Sequence, residues 1–344
     1  MTVEVGEEAR RAVLCPTAEV HVMHARTLPV LLLLGACGPS GGEDGDTAPV
    51  EDGGDETGAP PAEPPRTLAS GRHTLDVDGV PREFILHLPD GLPSDAPLVI
   101  VLHGYSDSAD AISDYSGMDT VADREGFAVA YPQGLTDTFG YAYWEVGYAF
   151  HDGSVDDVGF LLALRSLLLA DQGLNPDAVF ATGMSNGGDM SYRLACEAAG
   201  SFRAVAPVAG CLMGWLVEGC APSPEVPLLE IHGTLDRTTP WEGDLDGSDG
   251  YGPYLGTEES VSHFVTGYGL DTEATESLPD LDPTDGSVVT AHRWSRADSA
   301  TSVWLYEIEG GRHDWPGASG NQDIAAEEEI WSFFERYVEG TTEG

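Results

Sequence analysis

The segment Gly183-Met184-Ser185-Asn186-Gly187 constrains this chain more than any other. It reads G-x-S-x-G, and its flanks give the letters meaning. Ala178 to Thr182 is a short apolar run with the length of a buried strand. Met190 to Ala199 is a helical stretch with apolar residues at Met190, Leu194 and Ala195. A strand, a glycine-flanked serine and a helix make a sharp turn that holds the serine in a strained conformation. Side chains at the flanking positions would clash there, which is why glycine is required. The serine hydroxyl then stands at a helix start, where backbone N–H groups favour developing negative charge.

A serine hydroxyl alone is a weak nucleophile at neutral pH and needs a base, itself oriented by a carboxylate. In a parallel sheet such partners sit beyond the carboxyl ends of the strands. Asp236 follows the apolar run Pro227 to Ile231 in His232-Gly233-Thr234-Leu235-Asp236. His313 follows Ser302 to Ile308 in Gly310-Gly311-Arg312-His313-Asp314-Trp315-Pro316-Gly317. Ser185, Asp236 and His313 are therefore the expected nucleophile, acid and base, in the chain order of α/β-hydrolases. Asp314 is a rival acid, but its adjacency to His313 makes the required approach to Nδ1 awkward. An oxyanion would be held by two backbone donors, the N–H of Asn186 and that of Tyr105, in the loop after Leu98 to Leu102. His103 and His232 read as structural hydrogen bonders. Trp144, Trp241 and Trp315 fall in loops expected near the site and are candidates to wall an acyl or sugar pocket, with a structural role as the alternative.

The rest of the pattern places these loops on an α/β fold. His73 to Val77 and Arg82 to Leu88 alternate polar and apolar residues around Asp78-Gly79, a hairpin signal. Leu98 to Leu102, Phe127 to Tyr131, Ala204 to Val208, Pro227 to Ile231 and Ser302 to Ile308 read as strands. Phe160 to Leu169, Glu258 to Thr266 and Ile324 to Val338 read as helices, the first preceded by Asp156 and Asp157 at its N-terminus. Buried strands alternating with helices predict a mostly parallel central sheet with helices on both faces. Trp241 to Tyr254 is rich in glycine and aspartate and is expected to be a loop beside the site.

Residues 1–22 mix charge and apolar groups without a period and read as an extension foreign to the mature protein. From Met23, His24 and Arg26 precede an apolar run ending in Leu34-Gly35-Ala36-Cys37. At about nine residues the run is too short to span a bilayer, but it suits a signal peptide. Small residues before a cysteine predict a lipoprotein signal over 23–36, with lipid attached to Cys37; a cleaved secretory signal is the alternative. Residues 37–66 are dominated by Gly, Pro, Asp and Glu and predict a disordered acidic tether, leaving 67–344 as the folded domain.

Net charge is −44, and the sequence contains no lysine. Such a surface repels phosphate backbones, so no nucleic-acid partner is expected. Asp244, Asp246 and Asp249 resemble a calcium loop, but no glutamate completes it, and neither a metal nor any other cofactor is expected. Of the five cysteines, Cys196 lies eleven residues beyond Ser185 on a helix. That is roughly 16 Å from the catalytic edge at about 1.5 Å per residue. Cys220 precedes the strand beginning near Pro227, also at the far edge, whereas Cys211 follows a strand end. A Cys196–Cys220 disulfide is expected, with Cys211 free.

Several segments together resemble a known family. They are Leu102-His103-Gly104, Val155-Asp156-Asp157-Val158-Gly159-Phe160, Gly183-Met184-Ser185-Asn186-Gly187-Gly188, Arg193-Leu194-Ala195-Cys196-Glu197, Ala204-Val205-Ala206-Pro207-Val208-Ala209-Gly210, Ile231-His232-Gly233-Thr234-Leu235-Asp236 and His313-Asp314-Trp315-Pro316-Gly317. Over about residues 70–338 the chain is similar to esterases of the polyhydroxybutyrate-depolymerase type. That family is in turn similar to feruloyl and acetylxylan esterases of carbohydrate esterase family one. The resemblance implies a serine carboxylesterase acting outside the cytoplasm, with Ser185, Asp236 and His313 as triad; the pattern before Cys37 separately predicts attachment to the membrane through a lipid anchor, or secretion. Its expected partner is an ester substrate, either hydroxyalkanoate oligomers or acylated plant polysaccharide, and the chain is expected to be a monomer. A non-catalytic binding lipoprotein on the same fold and a serine peptidase stay open as alternatives.

Overall fold

A computed structural model describes residues 68–338. The extension 1–22, the signal 23–36, the lipidation site Cys37 and the tether 37–66 lie outside the described residues.

Polar–apolar alternation on either side of Asp78-Gly79 builds an antiparallel hairpin of β1 (Gly71–Val77) and β2 (Val80–His87). Asp78 and Gly79 have φ of 53° and 84°, the twist a two-residue hairpin turn requires. Then follow β3 (Leu98–Leu102), α1 (Ala109–Tyr115), α2 (Met118–Glu125) and β4 (Ala128–Pro132). A small hairpin, β5 (Leu135–Thr136) and β6 (Ala142–Tyr143), precedes α3 (Asp157–Gln172). The chain continues through β7 (Val179–Met184), α4 (Asn186–Glu197), β8 (Ala204–Val208), α5 (Gly214–Val217), β9 (Leu228–Gly233) and α6 (Thr257–Gly267). It closes with β10 (Thr272–Ser277), β11 (Val288–Ser295), β12 (Val303–Glu309) and α7 (Ala326–Phe334).

The ten-stranded sheet runs β1-β2-β4-β3-β7-β8-β9-β12-β11-β10. Its six central strands, β4 to β12 in that order, are parallel, and an antiparallel pair closes each side. Side chains alternate across a strand, so β3 feeds two cores. Leu98, Ile100 and Leu102 pack with Phe160, Leu164 and Met190, from α3 and α4. Val99 and Val101 pack with Ile112, Val121 and Phe334, from α1, α2 and α7. Continuous apolar runs such as Leu98 to Leu102 are therefore buried throughout, as strands covered on both faces must be.

Asp156 caps α3 by accepting the Gly159 N–H at 2.8 Å. Asp157 goes inward instead, to a buried ion pair with Arg82 at 2.6 Å that ties α3 to β2. Cys196, in the last turn of α4, is joined to Cys220 by a disulfide with Cα atoms 4.7 Å apart, and Cys211 is free and buried.

Candidate active site

The elbow lies between β7 and α4. Ser185 sits at φ 56°, ψ −120°, a conformation L side chains rarely adopt. The glycines around it answer to close approach of backbone. A Cβ on Gly183 would stand 2.6 Å from the Leu102 carbonyl oxygen, and one on Gly187 would overlap that same carbonyl. On the next loop, a Cβ on Gly104 would be 3.6 Å from Ser185 Cβ, so the His103-Gly104-Tyr105 turn runs beside the serine. Among the described residues, the N–H groups of Tyr105 and Asn186 donate to no protein acceptor, whereas Ser106 N–H donates to Ala142 at 2.8 Å. The two donors expected for an oxyanion are thus uncommitted.

Asp236 and His313 meet although 77 residues separate them. β9 and β12 are adjacent and parallel, so the loops leaving their carboxyl ends are neighbours. His313 Nδ1 donates to Asp236 Oδ2 at 2.7 Å. Asp236 Oδ1 accepts the N–H groups of Thr238 at 2.8 Å and Thr239 at 2.9 Å. Burial alone would raise this carboxyl, but the hydrogen bond and charge of His313 hold it below the usual carboxylate range. Asp314, the rival acid, instead accepts the Ser319 hydroxyl at 3.3 Å.

Behind Asp236 lies a buried pair of which the sequence points only to His232, as a structural hydrogen bonder. His232 and Glu230 are wholly buried, with His232 Nδ1 2.9 Å from Glu230 Oε1. His232 Nε2 donates to the Thr239 carbonyl at 2.8 Å and stands 3.5 Å from Asp236 Oδ2. Burial pushes Glu230 up to about 7. Burial lowers His232, but Glu230 more than offsets it and the imidazole is raised. Alternation along β9 carries the signal, since Glu230 and His232 share one face of the strand. His103 is structural: Nδ1 donates to its neighbour's carbonyl at 2.8 Å, Nε2 accepts Gly134 N–H at 2.9 Å, and burial lowers its pKa.

Ser185 and His313 open into one cavity of about 260 Å³, lined further by Tyr105, Tyr148, Asp189, Cys211, Tyr251 and Tyr254. Ser185 Oγ makes no hydrogen bond among the described residues; such contacts commonly tighten only when substrate binds. Asp189, four residues beyond Ser185 and so on its face of α4, accepts Tyr148 Oη at 2.6 Å and Cys211 N–H at 2.8 Å. Burial pushes its carboxyl up to about 6. Tyr251 and Tyr254 come from the segment expected as a loop beside the site.

The three tryptophans do not line this cavity, which corrects the pocket expectation for each and leaves the structural alternative. Trp144 is fully buried; its indole donates to His103 O at 2.9 Å and its backbone exchanges hydrogen bonds with the Asn186 side chain at 2.7 and 3.1 Å. It fixes the elbow from behind. Trp315 is buried in the core on the other sheet face, edge-on to Tyr115. Trp241 packs against the first core, near the His232 ring. Loop position in the sequence says that a residue is near the strand ends but not which way its ring turns.

Residues 83–221 match the family described as Esterase PHB depolymerase. The chain is 32% identical over 257 residues to a protein named as an esterase, NocK, of Nocardia uniformis subsp. tsuyamanensis, covering 71% of this chain and 73% of that one. It is 30% identical over 280 residues to the protein named probable feruloyl esterase C of Aspergillus niger, covering 78% of this chain and 87% of that one. In fold it is similar to an acetyl xylan esterase from Aspergillus awamori, with a TM-score of 0.55 at 16% identity over 77% of this chain and 99% of the other. These matches and the parallel sheet agree: the chain belongs to the PHB-depolymerase-type esterase family, on an α/β-hydrolase fold, and is a carboxylic ester hydrolase.

Proposed function

We propose that the protein cleaves esters through an acyl-enzyme formed on Ser185, with His313 as base and Asp236 as its orienting acid. The observation that carries this is the 2.7 Å His313–Asp236 hydrogen bond, opening into the cavity that also receives the strained Ser185. With Nδ1 committed to Asp236, His313 Nε2 is free to take the Ser185 proton as Oγ attacks the ester carbonyl. The oxyanion falls to the N–H groups of Tyr105 and Asn186, the second backed by the start of α4. His313 then returns its proton to the departing alcohol. Water, deprotonated by the same nitrogen, cleaves the acyl-enzyme and restores Ser185.

The acyl group is of hydroxycinnamoyl type. Four tyrosines line the cavity, so its walls suit a planar ring, and buried Asp189 disfavours acyl groups carrying a negative charge. The relatives named feruloyl esterase C support this reading. The family description supports a second, hydrolysis of short hydroxyalkanoate oligomers. Turnover of p-nitrophenyl acetate, methyl ferulate, acetylated xylan and hydroxybutyrate trimer by the full chain separates them. Methyl ferulate as the best substrate is expected; hydroxybutyrate trimer as the best overturns the hydroxycinnamoyl assignment.

The protein acts outside the cytoplasm, held by lipid on Cys37. The basic n-region, short apolar run and small residues before Cys37 support this, as does the Cys196–Cys220 disulfide, which needs an oxidising compartment. Palmitate labelling in a bacterium with lipoprotein processing is expected, with loss of label in Cys37→Ser. An unlabelled product with a free N-terminus reduces the claim to secretion.

A further inference from the structure

Single exposed aromatic side chains are ordinary, but a contiguous group marks an interaction surface, and three lie together beside the catalytic cavity. Phe139 is 64% exposed, Tyr141 49% and Phe150 37%, and none of them lines the cavity. Each is in ring contact with the next ring inward. Tyr141 and Phe150 have centroids 5.6 and 5.9 Å from that of Tyr105, Phe150 is 5.8 Å from Tyr251, and Phe139 is 6.1 Å from Phe150. The rings form one patch that starts at the cavity wall and runs outward over the surface.

The patch is held in place. Phe139 and Tyr141 occupy the tip of the β5–β6 hairpin, and Asp137 pins that tip. Its Oδ1 accepts the N–H groups of Phe139 at 2.8 Å and Tyr141 at 3.0 Å, and its Oδ2 accepts the Tyr105 hydroxyl at 2.6 Å. The Ser106 N–H, donating to Ala142 at 2.8 Å, ties the hairpin to the turn that carries the Tyr105 oxyanion donor. The rings thus keep a fixed offset from the reacting carbonyl, as a surface for the rest of the substrate would require.

We propose that Phe139, Tyr141 and Phe150 form a platform on which the neutral sugar rings of a carbohydrate ester stack, holding the saccharide side of the scissile bond. Two features select sugar. The hydroxyls of Tyr141 and Tyr251 make no hydrogen bond among the described residues, so the patch offers polar tips beside flat faces, matching a sugar's hydroxyls and C–H faces. A chain of net charge −44 repels an acidic polymer. The proposal rests on the serine-esterase reading above.

The test compares Phe139→Ala, Tyr141→Ala, Phe150→Ala and the triple variant, in the full chain, on methyl ferulate and on a feruloylated xylo-oligosaccharide. On the oligosaccharide KM should rise roughly three- to tenfold per ring removed, the range aromatic contacts span. On methyl ferulate, which ends at the cavity, kcat/KM should stay within about twofold. Equal losses on both esters would make the rings part of the pocket and overturn the proposal, as would no loss on either. A selective loss on hydroxybutyrate trimer would assign the surface to polyester. Binding of an unesterified xylo-oligosaccharide to Ser185→Ala, with and without the triple substitution, needs no turnover. It should weaken with the triple variant even if the assigned chemistry is wrong, and no detectable binding overturns the platform by itself.

Discussion

The elbow and the aromatic rim border the same cavity but are built on opposite principles. At the elbow, position is set by backbone against backbone: Gly183 and Gly187 lie against the Leu102 carbonyl, and Ser185 is held at φ 56°. At the rim, position is set by side chains from separate segments, with Asp137 holding a hairpin tip and rings touching across loops. The first arrangement admits almost no substitution. The second can exchange one ring for another and change what is bound without touching the chemistry.

If this contrast holds, substitutions should divide by region. Asp236→Asn should cost roughly 10⁴-fold in kcat by leaving His313 in the wrong tautomer. A larger loss from Asp314→Asn would move the acid. Gly187→Ala should cost on the order of 10²-fold or more, since its Cβ can be housed only by moving the elbow against Leu102, and a 1 Å displacement suffices for that. Wild-type rates from a folded Gly187→Ala would contradict a backbone-defined site.

Smaller effects sharpen the boundary. Reducing Cys196–Cys220, which spans 24 residues, should lower stability by about 3 to 4 kcal/mol in a chemical denaturation series, while leaving kcat of the folded protein unchanged. Asp189→Asn tests the burial of that carboxyl. Its folded pKa, about 6, lies above the unfolded value, so the folded state binds the proton more tightly. Stability should therefore fall as pH rises from roughly 4 to 6, by on the order of 2 kcal/mol, and flatten above. The asparagine variant should lack that fall; an unchanged slope would show that Asp189 does not carry it.

Glu230→Gln should give the smallest change. Burial pushes the Glu230 carboxyl up to about 7, so below neutral pH the glutamine replaces a largely protonated acid of similar shape. kcat/KM between about pH 5 and 7 should stay within about twofold of wild type. A loss of about tenfold or more would show that the Glu230 charge, reaching Asp236 through His232, supports the reaction.

What could be read from the sequence follows the same division. The glycine-flanked serine, the strands before Asp236 and His313 and the hairpin at Asp78-Gly79 are local patterns, and the structure shows each element in place. The Cys196–Cys220 pairing was readable because helix length fixes distance. β10 was missed because Thr272 to Ser277 is exposed throughout and has no apolar alternation. α1 and α2, seven and eight residues long around Gly117, give too few turns for a period to show. The cavity wall is only partly legible: the loop carrying Tyr251 and Tyr254 is expected beside the site, but Tyr148 is not, and Trp144, Trp241 and Trp315 take structural places rather than pocket ones, because ring direction depends on contacts between distant segments.

The central claim is that Ser185 is the nucleophile served by His313 and Asp236. The full chain, treated with a fluorophosphonate and mapped by mass spectrometry, tests it at the atom. One adduct on the Ser185 peptide is predicted, absent in Ser185→Ala and formed far more slowly in His313→Ala and Asp236→Asn. An adduct on another residue, or ester turnover that survives in Ser185→Ala, would contradict the account.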